Sequence, residues 1–163
     1  LGLIYAELGN LDRAVTYHQE AIALLETLDA PYWLATARYN LAQLYLRLDR
    51  VDEAAALMEA VDAAAERSQH QELRIRAQIG RARVLLKRGD IAGAETQLQE
   101  AILATRRLNA RRLLAEGLLL SSELQALQGQ PERAAQTWED ARKQYEILHH
   151  PLAKQPPQWL PTV

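Results

Sequence analysis

Apolar residues recur along the chain at spacings of three and four, as in Leu41, Leu44, Tyr45 and Leu48, inside long runs rich in Ala, Leu, Glu, Gln and Arg. That is the period of one helical face, and the alternation of β-branched and polar residues that marks a half-buried strand is absent. Breakers are scarce. The sequence holds 7 Gly and 6 Pro, and Pro151, Pro156, Pro157 and Pro161 all fall near its end. The pattern predicts an all-α chain over residues 1–148 and a Pro-rich tail over 149–163, extended where proline removes the amide donor.

The helices repeat. Gly2, Ala42, Ala82 and Ser122 are spaced by 40 residues, and the other landmarks keep the same step: Gly9, Asp49, Gly89 and Gly129, then Ala14, Ala54, Ala94 and Ala134, then His18, Met58, Leu98 and Trp138. Each unit reads as two antiparallel helices around a tight turn at Gly9-Asn10, Asp49-Arg50, Gly89-Asp90 or Gly129-Gln130, where Gly or Asp tolerates a left-handed residue. The expected pairs are 1–8 with 11–28, 32–48 with 51–68, 71–88 with 91–107, and 111–128 with 131–148. One pair cannot bury its apolar face alone, whereas stacked pairs can, so the expected architecture is a superhelical solenoid of about four units. Leu1 falls inside the first helix, which leads us to expect a fragment whose solenoid continues upstream.

Leu1-Gly2-x-x-Tyr5 followed by Ala14 and His18, and Leu41-Ala42-x-x-Tyr45 followed by Ala54 and Met58, resemble the tetratricopeptide repeat (TPR). The third and fourth copies, Arg81-Ala82-x-x-Leu85 and Ser121-Ser122-x-x-Gln125, are weaker. The Trp of the family pattern is Arg38, Gln78 or Leu118 here, and its closing Pro is Glu26, Glu66, Arg106 or Glu146. Without that Pro the second helix can run on, which we expect to account for the 40-residue unit. Units of this length are similar to those in the regulatory arms of bacterial STAND-type signalling ATPases and maltose-activator-like transcription regulators, and in repeat regions beside caspase-like proteases. The resemblance implies a non-enzymatic, cytoplasmic scaffold that binds a protein or peptide segment. Its alternative is a ligand-sensing or autoinhibitory arm of such an ATPase or regulator.

Composition narrows the chemistry. Nineteen Lys and Arg against 21 Asp and Glu leave a net charge of -2, which gives no polyanion footprint. No Cys is present, so disulfides, thiol nucleophiles and Cys-ligated metals are excluded, and cytosol is the default compartment. No apolar run is long enough to span a membrane, and no signal peptide pattern opens the chain. His18 holds a repeat packing position, and adjacent His149 and His150 would stand about 100° apart on a helix. Ser68, Ser121 and Ser122 lie in no nucleophile elbow, and Gly89-Asp90-Ile91-Ala92-Gly93 lacks the Lys-Ser/Thr of a phosphate loop. We therefore expect no catalytic residue, no metal and no cofactor.

What remains is the surface. The resemblance implies that the first helix of each unit lines a concave groove. That places Thr36, Tyr39, Asn40, Gln43 and Arg47 there, then Arg76, Gly80, Arg83 and Lys87, then Glu116, Leu120, Glu123 and Leu127. Residues 71–90 hold six cations against Glu72 and Asp90, while residues 51–70 hold five acids against Arg67. Two readings follow: complementary charge across the stack, or an anionic ligand at Arg76, Arg83 and Lys87 with Gly80 leaving room for its approach. Of the family's carboxylate clamp, Asn40 and Arg76 match, whereas Leu3 stands for an Asn and Gly80 for an Arg. The partner is thus expected to be a protein or peptide, acidic in this reading.

Arg106, Arg107, Arg111 and Arg112 bracket the junction of the last two units. Cations favoured at a helix C-terminus account for them, and without interleaved aromatics they form no nucleic-acid platform. In the tail, Trp159 and Leu160 are expected to anchor back onto the helices, with end-to-end self-association as the competing account.

Overall fold

The structure, a computed structural model, describes residues 1–160, Glu7 by its backbone alone, so Pro161 lies outside the described residues. Among these the elements are α1 (Gly2–Glu7), α2 (Leu11–Thr27), α3 (Pro31–Arg47), α4 (Val51–Ser68), α5 (Gln71–Lys87), α6 (Ile91–Arg107), α7 (Arg111–Leu127), α8 (Pro131–Ile147) and a 3-10 turn, Pro151–Lys154. The chain is an all-α helical repeat. The expected pairs agree with these helices to within a residue or two.

The second helices α2, α4, α6 and α8 run on through Glu26, Glu66, Arg106 and Glu146, where the family pattern has its closing Pro. The two helices of a unit are nearly equal in length: α3, α5 and α7 are 17 residues long, as are α2, α6 and α8, and α4 is 18. Both kinds of helix and both kinds of turn share the period equally. A residue of positive φ stands every 20 positions: Gly9, Asp29, Asp49, Gln69, Gly89, Asn109, Gly129 and His149. At six of these turns the next amide donates back to the carbonyl five residues earlier, as from Arg50 to Tyr45 (2.8 Å) and His70 to Ala65 (3.1 Å). This is the Schellman closure, which satisfies carbonyls the helix end would leave open. Asn10 and Asp90 cap the following helices by accepting from the amides of Arg13 and Gly93.

The backbone divides into two compact bodies, Leu1–Gly89 and a second beginning at Asp90. In the first, α1 to α5 pack in sequence, and α3 also meets α5. The repeat positions are its core: Ala14, Ala42 and Ala54 are fully buried, and Met58 fills the space beside them. A Cβ on Gly2 would lie 2.8 Å from the His18 ring, and one on Gly80 would collide with Met58 Sδ. Small and bulky positions therefore interlock, as close packing requires. In the second body α7 packs between α6 and α8, with the 3-10 turn against α8. Its core around Leu118, Trp138 and Tyr145 is joined by Leu152, Ala153, Trp159 and Leu160 from the tail.

Candidate functional site

The α3 and α5 helices of the first body meet along a face built from residues one repeat apart. Gln43 and Arg83 are equivalent positions, and they touch: Arg83 Nη1 donates to Gln43 Oε1 at 2.5 Å. One turn earlier on α3, the Arg76 guanidinium stands 5.6 Å from the centroid of the buried Tyr39 ring, within reach of a cation–π contact. Arg76 and Arg83 are seven residues apart and share a helix face, so the four side chains form one strip. Within it the Gln43 Nε2, Arg76 Nε and Arg83 Nε atoms are buried and meet no acceptor of the protein.

The other groove residues go elsewhere. Thr36 donates to the Tyr32 carbonyl on its own helix at 3.0 Å, and Arg47 Nη1 reaches the Ala6 carbonyl at 3.4 Å. Lys87 pairs with Asp49 at 3.0 Å. Asn40 is half-buried, but its repeat equivalents turn into packing. Gly80 leaves no room for a ligand, because Met58 fills the space where its side chain would stand. Leu120, in the second body, is 3% exposed and belongs to the core. There Glu116 meets Arg112 at 3.4 Å, Glu123 is exposed and Leu127 is 63% exposed.

The charge asymmetry resolves into two parts. Arg81 pairs with Asp62, Arg88 with Asp52 at 2.7 Å, and Lys87 with Asp49, so three of the six cations in residues 71–90 answer the acids of α4 and its preceding turn. Such pairs contribute about 0–1 kcal/mol each. Arg76 and Arg83 are directed at Tyr39 and Gln43 instead, neither of which carries a negative charge. Sequence reasoning placed these four residues on one face but missed the Gln43–Arg83 bond, whose only sequence trace is their 40-residue offset. It also missed the aromatic contact of Tyr32 with His70, with ring centroids 4.7 Å apart.

Among the described residues no group of three or more His, Asp or Glu is placed to hold a metal, and no helix is long and apolar enough to cross a membrane. A comparison with curated proteins finds no match. Family models of the tetratricopeptide repeat match residues 1–67 and 75–100. With the paired helices, the 40-residue register and the interlocking small and bulky positions, these matches show that the chain belongs to the tetratricopeptide repeat family.

Proposed function

We propose that this chain is a non-catalytic scaffold whose α3–α5 face binds an acidic peptide segment of a protein partner. TPR repeats generally mediate protein–protein interaction and are typically non-catalytic. The observation that carries it is the excess of donors in the strip. Gln43 Nε2, Arg76 Nε and Arg83 Nε are three buried donor nitrogens that no acceptor of the protein meets, and neither Tyr39 nor Gln43 supplies a charge to offset the two guanidiniums. Buried donors without acceptors are costly, and a carboxylate supplies acceptors and countercharge together.

The test is fluorescence anisotropy with a labelled octaglutamate peptide and an octalysine control at low salt. Octaglutamate should bind and octalysine should not, and Arg83→Glu should weaken octaglutamate at least tenfold. Unchanged affinity in Arg83→Glu would leave the strip as solvated charge and the proposal without support.

A further inference from the structure

A second cluster of cations, in the other body, has no role in that face. The turn from α6 to α7 carries Arg106, Arg107, Arg111 and Arg112 within seven residues. Beside it lies a cavity of about 250 Å³ lined by Thr105, Arg106, Asn109, Arg111, Leu114 and Gln144. Two guanidiniums and two carboxamides line it, and no carboxylate does. The Thr105 hydroxyl is turned away, donating to the Ile102 carbonyl at 2.7 Å. Arg111 has only the neutral Gln144 carboxamide, at 3.5 Å, while Arg112 meets Glu116 outside the cavity.

Like α1 and α3, α7 has neither an acid in its first turn nor a side-chain cap, and of these three it alone opens on cations, Arg111 and Arg112. Cations at that end of a helix oppose its dipole. A helix C-terminus explains Arg106 and Arg107, but it does not explain these two. The two exposed guanidiniums of Arg106 and Arg111, with no carboxylate in the lining, favour an anion in this open cavity. Small-molecule sites occupy about 300–1,000 Å³, so this cavity suits a single charged group on a longer chain better than a whole nucleotide. Paired guanidinium forks match the oxygens of a phosphate.

We propose that this cavity receives the phosphate of a phosphorylated serine or threonine on a protein partner, with Arg106 and Arg111 as its two ligating arginines. The probe is a labelled nonapeptide of Gly and Ala with one central phosphoserine, compared with its unphosphorylated twin and a twelve-nucleotide RNA by anisotropy. The phosphopeptide should bind at least tenfold more tightly than its twin, and inorganic phosphate should compete. Arg106→Gln with Arg111→Gln should abolish the difference, whereas Arg76→Gln with Arg83→Gln should preserve it. Ala110→Asp, which offers the uncapped α7 a carboxylate of its own, should raise the melting temperature and weaken phosphopeptide binding. Equal binding of the two peptides, retention of the difference in the Arg106/Arg111 variant, its loss only in the Arg76/Arg83 variant, or tighter binding of the RNA would each overturn the proposal.

Discussion

At Gly80 the missing side chain is a packing requirement. Met58 occupies the space a Cβ would need, so Gly80→Ala should overpack the core at a cost of about 1–3 kcal/mol. Met58→Ala alone should cost about 2–5 kcal/mol. In the double variant the new methyl group sits in the space the methionine left, so urea unfolding should give a combined loss smaller than the sum by more than about 0.5 kcal/mol. Strict additivity would mean the two residues do not share that space. His18 fills the same position against Gly2, and there the filler titrates. Burial lowers its pKa from the ordinary 6.5, so just below that pH the unfolded chain binds a proton the folded chain refuses. Stability from this group is fully present above pH 6.5, falls as the pH drops through the lowered folded value, and then levels off. Melting temperatures across this range should fall less steeply in His18→Met than in the parent chain.

The elements were legible from the sequence because helix stripes and repeat register are written in side-chain size, as in Ala54 with Met58 or Ala134 with Trp138. The turns were half legible. Gly9, Asp49, Gly89 and Gly129 announce themselves, whereas Asp29, Gln69, Asn109 and His149 share no residue type, and only their backbone reveals the same left-handed conformation. The backbone bonds from His70 to Ala65 and from His150 to Tyr145 close the turns that hold Gln69 and His149 in a region L-residues occupy at about 1–2 kcal/mol. A Cβ at Gly89 would meet nothing within 4 Å, so Gly89→Ala should lower stability by roughly that backbone cost alone. Gln69→Gly should raise it by up to about 1 kcal/mol, less the entropy glycine adds to the unfolded chain. Denaturant midpoints that move in the same direction for both would sink this account. The candidate strip was legible as a face but not as chemistry: side-chain type could not show that Lys87 would be drawn to Asp49 while Arg83 went to Gln43.

Across the whole molecule the ends differ. In the second body Trp159 and Leu160 rest half-buried on the Trp138 and Tyr145 core, whereas α1 leaves Leu1, Leu3 and Ile4 more than half exposed. Deleting residues 152–163 removes Leu152 and Ala153 with these two anchors, so it should cost at least about 1.5–3 kcal/mol and lower the melting temperature. An unchanged melting temperature would show that the tail adds nothing to the core. The evenly spaced turns have a consequence for how such a chain grows. Because the bend inside a pair and the bend between pairs are closed the same way, a gene duplication with its ends at any two left-handed residues 40 positions apart yields an uninterrupted helical rhythm. A duplication of 20 positions also closes its turns, but every later helix then exchanges roles, placing the residues of α3 and α5 where Ala54 and Met58 belong. A step of two helices thus leaves the core register intact, while a step of one disturbs it.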